Sequence, residues 1–309
     1  MIYVIMGGRL GNQLFRYAYA RKLLKENPFE QVCFDFSGVI RRGKPEDGWE
    51  NSLKYFNTID TEKECPSLKL SLIQRIVLKQ YSKHKAWPNL SIEKHHHQMK
   101  WAKLMSRVGL YYLDVGYYPF PQKKPWIVNN LVISSGCESE NYFKGIRNIL
   151  LEEFTPKQPV LERNKELMHI IKTNNSVCIS IRRGDFISVD RINKIYNICS
   201  PEYYLQAIAR IKELVDEPLF VFFSDDIEWV KNNIHVDGEC YYESGKDPIW
   251  EKLRLMYSCK HFIISNSTFS WWAQYLGQSQ DKVVVAPSKW YKSNLIPALY
   301  QDNWEIIDV

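Results

Sequence analysis

A chain of 309 residues, 45% hydrophobic and 25% charged, can bury one large or two ordinary cores and is too apolar to be intrinsically disordered. No segment approaches the ~18 apolar residues of a membrane span, and the six-residue run that opens the chain is too short for a signal peptide, so a cytoplasmic location is expected. The net charge of +6 is concentrated in residues 69–107, where nine Lys/Arg face the single acid Glu93; that local +8 leaves about −2 elsewhere and excludes the uniform basicity of a nucleic-acid binder.

Residues 2–6 read as a first strand running into Gly7-Gly8-Arg9-Leu10-Gly11-Asn12-Gln13 and then a helix with Leu14, Phe15, Ala18 and Leu23 on its apolar face. A strand, a glycine-rich turn and a helix start offer backbone N–H groups to an anion, although tight packing alone would select the same glycines. Residues 31–36 form a second strand. Between 37 and 130 the pattern is weakest: a loop at 43–48, a basic helix at 73–83 and another at 101–107. His95, His96 and His97 are adjacent and lack the i, i+4 spacing of helical metal ligands, so a polar turn is expected there. The aromatic residues Tyr111, Tyr112, Tyr117, Tyr118, Phe120 and Trp126 suit a core or a sugar site. A strand at 131–134 precedes Gly136-Cys137-Glu138-Ser139-Glu140 and a helix carrying Tyr142, Phe143, Ile146, Leu150 and Phe154. The polar segment 155–165 marks a boundary between domains 1–160 and 161–309, the first with a basic insertion at about 60–110.

Beyond it strands alternate with helices, at 177–181, 219–223, 239–242, 261–265 and 282–286, the pattern of a doubly wound parallel sheet. Ser200-Pro201-Glu202 and Asp247-Pro248 supply helix starts. Seven scattered cysteines with no C-x-x-C suit buried thiols rather than disulfides or zinc.

Parallel strands send the loops that follow them to one edge, and three of those loops are chemically unusual. Arg182-Arg183-Gly184-Asp185 offers two guanidinium forks for a diphosphate, although a surface Arg–Asp ion-pair turn would read the same. Ser224-Asp225-Asp226 offers carboxylates to ribose hydroxyls or a base N–H edge. Ser265 is followed by Asn266, Ser267, Thr268, Phe269 and Ser270, which supply hydroxyls, an amide and a helix start. Helix capping explains the last two loops separately; together the three describe a nucleoside diphosphate site.

These residues bring the chain to a family. GGRLGNQLFRYAYARKL at 7–23, GCESENYF at 136–143, SIRRGDF at 180–186, FSDD at 223–226 and LMYSCKHFIISNSTFSWWAQYL at 255–276 resemble the family 11 glycosyltransferases, α-1,2-fucosyltransferases that use GDP-fucose. The resemblance implies a GT-B-like α/β fold, two Rossmann-like domains with a cleft between them. It also implies inverting transfer of L-fucose from GDP-β-L-fucose without a metal. No D-x-D loop for a divalent cation is evident, and Arg182 and Arg183 can stand in for one by neutralising the departing GDP.

Donor contacts are expected from Gly8, Gly11, Asn12 and Gln13, from Arg182, Arg183 and Asp185, and from the other two polar loops. Strand parity puts Ser180 and Arg182 on one face, so Arg182 is expected on the β-phosphate and Arg183 in a supporting pair with Asp185. The chain departs from the family pattern at Ser180 (usually His), Glu138 (usually Gln) and Asn141 (usually Lys). Asp190 is the candidate base. The expected acceptor is a glycan, O2 of a terminal galactose, with lipid linkage and membrane contact through residues 69–107 as a further expectation; nucleic acid is not expected as a partner. Another GDP-sugar or linkage is the first alternative, and a catalytically idle glycan- or nucleotide-binding protein the second.

Overall fold

The computed structural model describes residues 1–82, 91–295 and 297–309, so Lys83, Lys85 and the end of the expected basic helix lie outside the described residues. The chain divides into two compact units, Met1–Thr155 with Pro297–Leu299, and Pro156–Ile296 with Tyr300–Val309. Each is built on a parallel sheet, as the α/β pattern requires.

In the N-terminal unit, β1 (Ile2–Ile5), β2 (Val32–Asp35), β3 (Leu110–Tyr111) and β4 (Leu131–Ile133) lie in the order β2-β1-β4-β3. Helix α1 (Leu10–Glu26) follows β1 and buries Leu14, Phe15, Tyr17, Ala18 and Leu23. A short α2 (Ser37–Ile40) follows β2. Helices α3 (Leu72–Ser82) and α4 (Ile92–Ser106) form the insertion, joined through Tyr81, Met105 and Trp101. His95–His97 lie inside α4 rather than in a turn: the Ser91 hydroxyl caps that helix by accepting from Lys94 N, and one helix replaces the shorter one expected at 101–107. The helix expected from Tyr142 to Phe154 is broken into a 3-10 turn, Glu140–Tyr142, and α5 (Arg147–Glu153); between them Gly145 adopts φ +85°. The aromatic run is largely core, with Tyr111 stacked on Phe120 at 4.5 Å and Tyr117 edge-on to Tyr142 at 4.9 Å. Trp126 stands apart, 94% exposed.

The expectation of thiols throughout is corrected at one pair: Cys33 of β2 is disulfide-bonded to Cys65, their Cα atoms 5.5 Å apart, while Cys137, Cys178 and Cys259 are buried free thiols. A separation of 32 residues carries no sequence signal of proximity; only the path of the 56–70 loop brings the two together.

In the C-terminal unit, α6 (Lys165–Thr173) precedes β5 (Asn175–Ile181), which leads into two short helices, α7 (Gly184–Ser188) and α8 (Asp190–Tyr196). Then come α9 (Pro201–Leu214), β6 (Pro218–Ser224), α10 (Ile227–Asn233), β7 (Cys240–Tyr242), α11 (Ile249–Ser258), β8 (His261–Ile263), α12 (Thr268–Leu276), β9 (Val284–Pro287) and β10 (Glu305–Ile307). The order is β10-β9-β8-β5-β6-β7, every pairing parallel. Val177, Ile179 and Ile181 pack with Phe220 and Phe222 against Tyr203, Ile208 and Ile211 of α9. The alternate residues of β5, Cys178 and Ser180, take the other face of the sheet. From β5 the chain winds outward through β6 and β7, and from β8 it winds the opposite way through β9 and β10. The order therefore reverses between β5 and β8, and the carboxyl ends of those two strands flank the crevice where doubly wound sheets bind ligands.

Candidate active site

Two of the three polar loops flank that reversal. The first begins where β5 ends. Arg182 directs Nη1 to Asp225 Oδ2 at 2.5 Å and Nη2 to Asp185 Oδ1. Arg183 donates its backbone N–H to Asp225 Oδ1 at 2.8 Å and Nε to Asp226 Oδ2 at 3.1 Å, and its guanidinium lies 3.5 Å from the centre of the Trp229 ring. Asp226 also caps α10 by accepting from Trp229 N. The expected Arg183–Asp185 pair is thus corrected. Helix α7 starts at Gly184 and carries Asp185 back toward Arg182, while the opposite side-chain direction delivers Arg183 to Asp226 and Trp229. A Cβ at Gly184 would lie 2.5 Å from Asp225 Oδ2, so a larger residue there would displace the carboxylate that holds Arg182. Both arginines are partly exposed, with side-chain exposures of 24% and 19%. Each guanidinium carries five N–H donors in a fixed fork, more than these carboxylates occupy. The loop after β6 therefore orients the loop after β5.

The second flank follows β8. Ser180 Oγ meets Ser270 Oγ at 2.6 Å, and Ser270 Oγ meets Ser265 Oγ at 3.0 Å, a buried hydroxyl chain across the β5–β8 crevice. Ser180 is therefore partnered from α12. Ser267 caps α12 by accepting from Phe269 N, and Ser267, Thr268 and Phe269 are partly exposed at that helix start. Asn266 is buried and donates Nδ2 to Tyr196 O at 2.8 Å and Trp290 O at 2.9 Å, so it holds the loop and does not present its amide to a ligand. Asp190 is exposed at the start of α8.

The N-terminal sheet repeats the geometry. Its order reverses between β1 and β4, so the turn after β1 and the loop after β4 are neighbours. Gly8 adopts φ +72°, and a Cβ there would sit 2.4 Å from Asn12 Nδ2, so this turn admits only glycine. Gly11 is buried in the first turn of α1 and Asn12 is partly exposed beside it. Gln13 is fully buried: Nε2 donates to Gly8 O and Glu50 O, and Oε1 accepts from Ser52 N. With its amide committed to three backbone groups, Gln13 positions the turn instead of contacting a nucleotide.

Beneath the turn, Arg16 donates Nη1 to Ile5 O, and burial pushes its guanidinium below the ordinary value against the pull of Glu138 and Asp114. Burial also raises the Glu138 carboxyl to about 7, with Arg16 opposing. Sequence reading passed over Arg16, Trp229 and the serine chain. The three-residue spacing of Trp229 from the Asp226 cap was the one signal available for the second of these.

The folded protein holds the Glu138 proton more tightly than the unfolded chain, so folding stability falls as pH rises from about 4.5 toward about 7. Glu138 is half-buried as a residue, and with Arg16 opposing the shift the loss is about 1–2 kcal/mol. Glu138→Gln is expected to match the wild type in denaturant melts at acidic pH and to exceed it by that amount in mild alkali. An equal gap at both ends of the range would contradict the assignment.

Among the described residues, no group of three or more His, Cys, Asp or Glu side chains is arranged to hold a metal ion. The arrangement suits anion binding at a crevice edge, with guanidinium forks after β5 on one flank and a helix start after β8 on the other; the carboxylates of Asp225 and Asp226, expected to meet ribose hydroxyls or a base edge, are instead committed to Arg182, Arg183 and the α10 cap.

Comparison with known proteins agrees with that chemistry. Residues 127–308 match the model of glycosyl transferase family 11. The chain is similar to the O-antigen biosynthesis glycosyltransferase WbnK of Escherichia coli, 26% identical over 98% of this chain and 99% of that one. It is also similar to an Escherichia coli alpha-1,2-colitosyltransferase, 36% identical over 50% of this chain and 54% of the other. In structure it resembles the fucosyltransferase NodZ from Bradyrhizobium, with a TM-score of 0.54 at 12% identity over 88% of this chain and 91% of that one, a likeness of GT-B-type fold.

Proposed function

The chain belongs to glycosyl transferase family 11, and from that premise we propose that it transfers L-fucose from GDP-β-L-fucose to a hydroxyl of an acceptor glycan, O2 of a terminal galactose. The observation that carries the reading is that Arg182 follows β5 and the α12 start follows β8, the two adjacent strands between which the C-terminal sheet reverses its order, with the Ser180–Ser270–Ser265 chain bridging them. A GDP-sugar is a ligand whose diphosphate matches guanidinium forks and a hydroxyl-bearing helix start placed so. NodZ, which shares the fold, has been studied in crystals soaked with GDP-fucose, and the α-1,2 linkage is supported by the name of the colitosyltransferase relative.

In the reaction the acceptor oxygen attacks the anomeric carbon from the face opposite GDP. The C–O bond forms as the bond from that carbon to the β-phosphate oxygen breaks, and the product is the α-fucoside. Arg182 acts on the charge that grows on the leaving β-phosphate, a group it contacts more strongly in the transition state than in the ground state. Arg183, stacked on Trp229, holds the loop. The hydroxyl proton passes to a carboxylate, for which Asp190 is the candidate. The C-terminal unit is assigned the donor and the N-terminal unit the acceptor. No metal is needed in this scheme. A cytoplasmic location and a lipid-linked acceptor complete the reading.

The similarity to a colitosyltransferase favours one alternative, a donor carrying colitose in place of fucose. Purified protein incubated with GDP-fucose and lactose is expected to release GDP and to form a product with fucose on O2 of galactose, equally with and without EDTA. Turnover with a colitosyl donor alone would replace the donor assignment. GDP binding without transfer to any acceptor would make this a binding protein, and loss of activity in EDTA would overturn the metal-free scheme.

A further inference from the structure

The turn and the loop described above occupy the carboxyl edge of the N-terminal sheet, and the opposite edge has a different character. Three segments meet there. Asn27 Nδ2 donates to Gln122 O at 2.7 Å, and Lys124 pairs with Glu30 at 3.1 Å, joining 27–30 to 122–130. Asn130 Nδ2 donates to Lys69 O at 3.0 Å, and Gln74 Nε2 donates to Asn130 O at 2.9 Å, joining the same loop to the start of α3. These segments precede β2 and β4, so they form the amino edge of the sheet.

On this rim large apolar side chains face solvent. Phe29 is 99% exposed, Trp126 94%, Leu72 68% and Ile76 53%, with Ile73 and Ile127 also outward. Apolar residues scattered singly on a surface need no explanation, but a group held together by the hydrogen bonds above does. Interleaved with them are Lys69, Arg75, Lys79, Arg107 and Lys123, all exposed. Residues 69–82 and 122–130 contain no Asp or Glu, and Glu30 is taken up by Lys124 and the chain's amino group.

We propose that this amino edge docks the protein on an anionic phospholipid bilayer. Aromatic and aliphatic side chains ringed by lysine and arginine are what an interfacial surface requires. The apolar groups enter the headgroup–acyl boundary, Trp takes the interface, and the cations meet negatively charged headgroups. The same composition argues against two other occupants. Single-stranded nucleic acid would use aromatic and cationic groups but has no use for Leu72, Ile73 and Ile76. A two-fold dimer would set these cations against their own copies, and lysine is depleted from interface cores. Basicity along 69–107 is only part of the surface, because Phe29 and Trp126 arrive from distant positions. The inference deepens the reading of a membrane-bound acceptor, yet vesicle binding is measured without turnover, so failure of either leaves the other standing.

The experiment is co-sedimentation with extruded vesicles of roughly three parts phosphatidylcholine to one part phosphatidylglycerol, compared with phosphatidylcholine alone. Wild-type protein is expected to bind the anionic vesicles in a salt-sensitive manner and the neutral ones weakly. The double variant Phe29→Ser/Trp126→Ser is expected to lose about tenfold or more in affinity, as is Lys69→Glu/Arg75→Glu. All four positions are exposed, so melting curves and turnover of soluble acceptor should be unchanged. Absence of binding to anionic vesicles, or undiminished binding by both variants, would overturn the proposal. So would a dimer or an RNA complex abolished by the same substitutions in place of vesicle binding.

Discussion

Arg182→Ala is expected to lower kcat for sugar transfer by about 100- to 1,000-fold, the scale of removing one pre-aimed donor from a developing negative charge. Arg182 is held by carboxylates from two loops, Asp185 and Asp225, so its fork reaches the crevice already oriented. Lysine at this position keeps the charge but has neither the planar fork nor the paired geometry, so Arg182→Lys is expected to recover little. Arg183→Ala should behave differently. It removes a stack on Trp229 and an ion pair with Asp226, a loss of about 1–2 kcal/mol of local stability. Its kcat should stay within about tenfold of wild type. Steady-state kinetics with GDP release as readout, beside thermal melts, separate the two. If Arg183→Ala silences transfer while Arg182→Ala does not, the roles are reversed and the phosphate assignment fails.

The largest stability effect is expected at Glu251→Leu, about 3–5 kcal/mol, because it strips the counter-charge from a buried cation. Glu251 is fully buried near the start of α11; it accepts from Leu161 N at 2.9 Å and Asn164 Nδ2 at 3.2 Å and pairs with Arg254 at 3.0 Å. Arg254, itself buried, also reaches Gln158 O, and nearby Arg163 pairs with the buried Asp247. These bonds tie the segment after residue 156 to α11. On the same helix, Lys252 bridges Glu243 at 3.1 Å and Ser224 O at 3.3 Å, where the second polar loop begins. Leucine matches the volume but leaves the Leu161 N–H, the Asn164 amide and the Arg254 guanidinium without their acceptor. Glu251→Gln retains an acceptor and should lose less. Denaturant melts of the two variants test the account, and equal stability of Glu251→Leu and wild type would refute it.

The C-terminal unit was the more legible half because its chemistry is local. Apolar runs of three to five residues giving way to Arg182, Ser224 and Ser265, and caps such as Ser200 followed by Pro201, are read within one stretch of chain. Two short strands escaped, β3 with two residues and β10 with three, whose runs carry no periodicity of their own. The insertion was harder still. Buried polar side chains such as Gln74, which donates to Val108 O and Asn130 O, tie α3 to the sheet without any apolar signature.

From the sequence alone came the parallel α/β architecture, the three polar loops on one edge and the family. Each follows from spacing along the backbone, through capping chemistry and motif order. Tertiary structure decided which polar residues are committed to holding loops, as Gln13 and Asn266 are, and which carboxylate meets which arginine. It also brought Ser180 to Ser270, Cys33 to Cys65 and Asn130 to the start of α3. Strand order sets those pairings, and strand order is fixed by which hydrophobic faces pack together across long separations, a condition that no local stretch of residues encodes.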